Sequence, residues 1–214
     1  NCITLLHFDN NATNSSSIPQ TWTKGQYVLY SSSIKKFGTH AMYDQYGANT
    51  IERDPNPYGD FVNTSGVFYP YLSGDWTAEC WFRVPSGNAG YRSYPFALHR
   101  SSDLYGYFEI GISDTTIRLL NSTSGTSYTF SQDYSVSTAI NTWHHVAVVK
   151  KDNLINVYID GVAKVTNVPW AYVPNSGWTN SAIGAYNYGY IDEFRFSNIA
   201  RWTTNFTPPT IPYV

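Results

Sequence analysis

Residues able to do acid, base or nucleophilic chemistry are few and scattered in this chain. Three carboxylates fall inside strand-like runs: Glu79, Glu109 and Glu193. Retaining glycoside hydrolysis needs two carboxyl groups about 5 Å apart. None of the three has a carboxylate partner two positions away, the spacing that puts side chains on one face of a strand. Glu193 follows Asp192 directly, so the pair should point to opposite faces. Glu79 and Glu109 read as ion-pair partners of Arg83 or Arg195. His144 and His145 are adjacent, so one faces in and one out. There is no Gly-x-Ser-x-Gly elbow, no glycine-rich phosphate loop and no Cys/His cluster with zinc spacing. The aromatic residues between the strands are the stronger signal. Tyr91 and Tyr94, Trp170 and Tyr172, Trp178, and Tyr186 and Tyr188 sit beside turn residues. Their rings offer a flat apolar face and a polar handle, which suits sugars and protein interfaces alike.

Composition supports that emphasis. The 214 residues include 19 Tyr, 7 Trp and 11 Phe, while charged residues make up 13%, against roughly 25% in an average soluble domain. Thirteen basic and 15 acidic residues give a net charge of −2. Nucleic-acid binding is not expected, since it needs a basic surface to displace counterions. The longest aliphatic run is Val146–Val149, far short of the ~20 residues that span a bilayer, so no membrane insertion is expected. Cys2 and Cys80 are too few for a disulfide framework.

The elements that must position these residues read as strands. Alternating or β-branched runs of four to nine residues are punctuated by Gly, Pro, Asn, Asp and Ser. They cover Ile3–Phe8, Gln26–Tyr30, His40–Tyr43, Gly66–Tyr69, Trp76–Val84, Phe96–Arg100, Tyr105–Ser113, Thr116–Asn121, Ser127–Phe130, Trp143–Lys150, Leu154–Ile159, Val162–Asn167, Ser181–Ala185 and Gly189–Phe196. Asp160-Gly161 is a tight hairpin turn, and Lys151-Asp152-Asn153 is a second connection. Phe108, Ile110 and Ile112 should point to the core. A helical turn is expected near Asn198–Thr203, and long loops at Asn10–Lys24 and Tyr46–Phe61. The pattern predicts an all-β chain, 1–214 as one domain, with two antiparallel sheets packed as a sandwich.

Several segments, in order, resemble a known family. They are Leu5-Leu6-His7-Phe8-Asp9, Phe37-Gly38-Thr39-His40-Ala41, Trp76–Arg83, Trp143–Val149, Val157–Val162, Gly189–Ser197 and Ala200-Arg201-Trp202-Thr203. They are similar to the laminin-G-like branch of the concanavalin A-like lectin/glucanase superfamily. The run from Ala200 through Pro208-Pro209 to Tyr213 resembles modules of bacteriophage tail, fibre and appendage proteins and of bacterial surface proteins.

The resemblance implies a jelly roll whose terminal strands, Ile3–Phe8 and Gly189–Phe196, pair. It implies a structural calcium held by Asp9 and Asp192 with backbone help at Gly38, pinning the termini. It also raises the polysaccharide lyases of similar fold, for which His145, Tyr107, Tyr158 and Arg83 are possible pieces without the lyases' spaced motifs. The glucanases' Glu-x-Asp-x-x-Glu strand is absent from the sequence.

Together these features predict a non-catalytic carbohydrate-binding or adhesion module of a larger protein, on a virion appendage or extracellular cell surface, working as an oligomer or tandem array. The alternatives are a decoration or assembly module contacting neighbouring subunits and, third, a polysaccharide-degrading enzyme. Five Asn-x-Ser/Thr sequons, at Asn11, Asn14, Asn63, Asn121 and Asn205, are expected from composition alone.

Overall fold

A computed structural model describes residues 1–25, 28–44, 61–63, 67–99, 108–124, 127–170, 180–184 and 189–214. In chain order the strands are β1 (Cys2–Leu6), β2 (Thr23–Lys24), β3 (Val28–Ser31), β4 (Ala41–Asp44), β5 (Phe61–Asn63), β6 (Trp76–Arg83), β7 (Ser93–His99), β8 (Phe108–Ile112), β9 (Thr116–Asn121), β10 (Phe130–Ser135), β11 (His144–Lys151), β12 (Leu154–Ile159), β13 (Val162–Pro169), β14 (Asn180–Ile183) and β15 (Tyr190–Ser197). Two antiparallel sheets result. Sheet A runs β13-β12-β11-β6-β15-β4-β3, with β1 also on β15; sheet B runs β10-β9-β8-β7-β14-β5-β2. The terminal strands pair as expected, with Leu5 opposite Arg195 and Leu6 opposite Phe194. An all-β sandwich of antiparallel sheets is thus the observed fold.

The side-chain period of two builds the core. Ala78, Cys80 and Phe82 of β6 and Phe108, Ile110 and Ile112 of β8 all face the space between the sheets. Aromatic rings fill its centre: Phe68 lies 4.3 Å from Phe196, and Trp76 lies 5.5 Å from Phe108. Each such pair adds about 0.5–1.5 kcal/mol beyond its area burial. The hairpin turns use the left-handed region their residues tolerate, with Asp152 and Asn153 at φ 50° and 61°, and Asp160 and Gly161 at 51° and 76°.

Four expected elements differ. Residues 67–71 form a turn and a 3₁₀ turn, Tyr69–Tyr71, because Pro70 brings no N–H to a ladder. Asn198–Thr203 bends without forming a helical turn, since Thr77 Oγ1 donates to Ile199 O and accepts from Arg201 N. The strand expected at Ser127–Phe130 runs instead from Phe130 to Ser135. The polar stretch from Asn10 is pinned to β1: Asn14 Oδ1 accepts from Leu5 N, and Gln20 Nε2 donates to Ile3 O. It then ends in β2. Residues 46–60 of the second expected loop lie outside the described residues. Cys2 and Cys80 are both free: Cys80 sits between the sheets and Cys2 against the outer face of sheet A.

The C-terminal segment 198–214 lies across that outer face. Tyr213 packs on Leu5 and Trp81, while Trp202 and Phe206 pack on Ala147, Val149 and Tyr158. Gly161 is required there, because a Cβ would run into the carbonyl of Phe206.

Candidate functional site

The end of sheet A where β1 leaves and β15 begins carries Asp9 and Asp192. Asp9 Oδ1 accepts from the amides of Thr39 and His40 and from the Thr39 hydroxyl. Asp192 Oδ2 accepts from the amides of Lys36 and Phe37, at 2.8 and 3.1 Å. One loop, 36–40, therefore ties both carboxylates. Gly38 stands at φ 53°, and a Cβ there would collide with the Asp9 carboxylate. Asp192 Oδ1 is buried and has no partner. Burial pushes the Asp192 carboxyl up to about 7, the Lys36 and Phe37 amides oppose this, and the charges of Glu193 and Asp9 add to it. An orphaned buried carboxylate oxygen is a donor that a divalent cation would satisfy, and calcium is bound by such oxygens. The described residues hold no group of three metal-ligating side chains, so backbone carbonyls or water would complete any such site.

Glu193 sits in a bulge of β15 at φ 56°. Its Oε1 meets His7 Nδ1 at 2.8 Å, and its Oε2 accepts from Tyr213 N at 2.8 Å. A non-glycine residue persists in that strained region only where its surroundings hold it. Here it joins both chain ends.

The outer face of sheet A holds a dense polar network. Arg195 Nε donates to Glu79 Oε1 at 2.9 Å, and Trp202 Nε1 to Glu79 Oε2 at 2.8 Å. His145 Nε2 lies 3.4 Å from Glu79 and 2.7 Å from the Tyr213 hydroxyl. Burial alone would raise the Glu79 carboxyl, but the His145 hydrogen bond and the Arg195 charge hold it below its usual range. The network has acid–base residues, yet Glu79 is 2% and His145 0% exposed, sealed under the C-terminal segment. The other possible lyase pieces do not join it. Arg83 donates to Asn141 O, Tyr158 packs on Phe206, and Tyr107 lies outside the described residues. Glu109 is on the outer face of sheet B, on the far side of the sandwich from Glu79, so the two cannot act on one bond.

Sheet B presents its outer face differently. Tyr91, 56% exposed, follows the Gly90 turn, which Asp114 fixes by accepting from Gly90 N. Tyr94 is partly buried against Ala97 and Ala182. Gly111 lies beneath it: a Cβ there would meet Tyr94 Cε1 at 3.0 Å and Arg92 Cδ at 3.3 Å. Arg118 grips Asp133 through Nε at 2.5 Å and Nη2 at 2.6 Å. Arg92 Nη2 shares Asp133 Oδ2 at 3.2 Å. The Tyr128 hydroxyl donates to Glu109 Oε2 at 2.9 Å. Burial raises the Tyr94 phenol, keeping it a donor.

Of the expected aromatic ligands, Tyr94 belongs to this face, and Tyr91 is exposed on the turn that leads into β7. Trp170 does not belong to this face. It is 1% exposed and packs edge-on against Phe108 and Phe130, so its side chain turns into the core at the end of β13. Tyr172, Trp178, Tyr186 and Tyr188 lie outside the described residues. Sequence reasoning missed Arg92, Arg118, Tyr128 and Asp133. The signal was the alternation in β10, Phe130-Ser131-Gln132-Asp133-Tyr134, whose register sets Asp133 opposite Arg118.

An opening of about 530 Å³, open to solvent, lies between Thr13, Trp22, Lys24 and Tyr30. Its polar side chains are largely spent internally: Gln20 Oε1 accepts from Thr4 and Trp22, and Lys24 Nζ donates to Val28 O at 2.6 Å.

Solved structures of similar fold are known. Domain 4 of AbnA, a GH43 extracellular arabinanase from Geobacillus stearothermophilus, in complex with arabinotriose, is 18% identical; the match covers 91% of each chain with a TM-score of 0.59. The binding domain of botulinum neurotoxin serotype D is 12% identical over 93% of this chain and 48% of that one, at a TM-score of 0.64. Botulinum neurotoxin type C, whose cell entry depends on two ganglioside molecules, gives 14% identity over 92% and 47%, at 0.60. The chain thus spans about half the length of the neurotoxin chains. No curated protein sequence matches. At this identity the likeness shows the fold. Residues 57–204 match Laminin_G_3, described as concanavalin A-like lectin/glucanases superfamily, and the chain belongs to that family.

Proposed function

We propose that the chain is a non-catalytic carbohydrate-binding module that takes a surface glycan on the outer face of sheet B. The observation that carries this reading is a cluster of partly exposed guanidinium, carboxylate and phenol groups, from Arg92, Arg118, Asp133, Tyr94 and Tyr128, with exposed Tyr91 next to Arg92 in the chain. A sugar ring stacks its C–H face on an aromatic ring and exchanges hydrogen bonds with polar groups around it. The similar folds support it: the arabinanase domain holds arabinotriose, and the type C neurotoxin depends on gangliosides. The burial of the Glu79–His145 network supports binding without turnover.

The module would act on an extracellular cell surface or a virion appendage. Weak single sites would gain strength from an array of copies. A structural calcium at Asp9 and Asp192, supported by the orphaned Asp192 oxygen, would hold the chain ends and lie apart from the glycan.

The test is binding of the purified chain, displayed multivalently, to an array of bacterial and animal glycans, with product analysis on each hit. The expected result is binding without cleavage, weakened at least tenfold by Tyr91→Ala. Cleavage of a bound glycan would overturn the non-catalytic reading. A silent array would favour an assembly module that contacts neighbouring subunits.

A further inference from the structure

We propose that the sheet B face is selective for sugars bearing a carboxylate, uronic or sialic acids, and that Arg92 is the residue that selects them; this rests on the glycan-binding reading above. Two guanidinium groups there share one carboxylate unequally. Arg118 takes both Asp133 oxygens, at 2.5 and 2.6 Å, in the two-pronged geometry that makes such pairs strong. Arg92 has a single contact at 3.2 Å to an oxygen already engaged, its Nε is buried without a partner, and its side chain is 29% exposed, so a ligand would meet the guanidinium through its Nη edge. The other nearby acid, Glu109, accepts from Tyr128. Among the described residues Arg92 is therefore the under-satisfied cation of the cluster. Its stem is held over Gly111 beside Tyr94, and the next residue back is the exposed Tyr91.

A side chain fixed in this way loses little freedom on binding, which favours affinity. The guanidinium fork matches a planar carboxylate. A pyranose on Tyr91 would bring a ring carboxylate toward the adjacent arginine. Asp133 and Glu109 limit the negative charge the face will take, favouring a singly charged carboxylate over a phosphate ester.

The experiment measures binding of the whole chain to oligogalacturonate, hyaluronan oligosaccharides and α2,8-linked oligosialate, each against its carboxyl-reduced form. At least one acidic probe should bind roughly tenfold more tightly than its reduced form. Which probe does so tells uronate from sialate. The advantage should shrink between 50 and 500 mM salt, as exposed charge pairs are screened. Arg92→Gln should abolish the advantage with an unchanged melt, and Arg92→Lys should keep part of it, through charge without the fork. Equal binding of acidic and reduced probes, or an Arg92→Gln variant that keeps the preference, overturns the role of Arg92 while leaving glycan binding standing. Binding of no glycan, charged or neutral, overturns both.

Discussion

The two outer faces of the sandwich use nearly the same side chains to opposite ends. On sheet A, Glu79, Arg195, His145 and Tyr213 form a network sealed beneath segment 198–214. On sheet B, Glu109, Arg92, Arg118, Tyr94 and Tyr128 form a cluster with most of its groups in partial contact with solvent. Cover decides the difference. Under the C-terminal segment each charge must find its partner within the protein, because an unpaired buried charge is prohibitive. On the open face water can reach the exposed part of the Arg92 guanidinium, 29% of whose side chain is accessible, while its Nε stays buried without a partner. The network of acid–base residues is thus sealed from solvent, and the open cluster is the one the proposed glycan site would use.

The sharpest way to break this contrast is to delete one carboxylate from each face. Glu79→Ala strands Arg195, His145 and the Trp202 indole N–H in a buried site. Removing one partner of a buried pair costs about 3–5 kcal/mol, and roughly 2–4 °C of melting temperature accompanies each kcal/mol at this size. The expected fall is therefore about 6–20 °C. Asp133→Ala removes an equally well-formed Arg–carboxylate pair, but Asp133 is 42% exposed. Exposed pairs are worth about 0–1 kcal/mol, so its melt should move by only about 2 °C. If thermal unfolding shows equal losses, cover is not what separates the faces.

A smaller effect tests whether the covered side is closed by a metal. A calcium on the Asp192 orphan oxygen would stabilise by about 2.7 kcal/mol at a hundredfold excess over its dissociation constant. Chelation should lower the melt by roughly 5–10 °C on the same scaling, and calcium should restore it. Glycan binding on the opposite sheet should be unaffected. An unchanged melt, with no metal in the purified protein, would remove calcium from Asp9 and Asp192.

The sequence made the inner faces legible and left the outer faces obscure, for a physical reason. Alternation marks which residues turn inward, so Phe108, Ile110 and Ile112 were readable, while the pairing of the terminal strands came from the family resemblance. It does not reveal what lies over the outward residues. Glu79 looked like any strand carboxylate with an arginine partner, and its burial depends on Trp202 and Tyr213, more than 120 positions on. Trp170 looked like a loop platform because it sits beside Pro169 at a strand end, yet which way its side chain faces is set by packing against Phe108 and Phe130. β10 was displaced in the reading because Ser131, Gln132 and Asp133 are polar. An edge strand with one wet face tolerates that, and the Arg118–Asp133 pair was lost with it.

Between the sealed and open faces stands His144, beside the Asp160-Gly161 turn, and it should show an intermediate, pH-dependent effect. Its Nδ1 meets Asp160 Oδ2 at 2.6 Å and its Nε2 meets Ala139 O at 3.0 Å. Both partners are acceptors, so satisfying both requires the doubly protonated ring. The Asp160 hydrogen bond raises the His144 pKa against the opposing effect of burial. The stabilisation from this raised value is complete below about 6.5, the unfolded value, and is lost as pH rises through the folded one. Burial would raise Asp160, but the His144 bond and the His145 amide outweigh it and hold the carboxyl low. Its contribution is present above about 3.9 and fades as pH falls through its folded value. The pair therefore works best between roughly pH 4 and 6.5. With Asp160 46% exposed, screening holds the effect below about 1 kcal/mol. His144→Gln should melt about 2 °C below the parent at pH 5.5 and converge on it at pH 8.5. A gap that persists unchanged at pH 8.5 would mean that the ring serves as a neutral spacer, and that charge contributes nothing at the margin of the covered face.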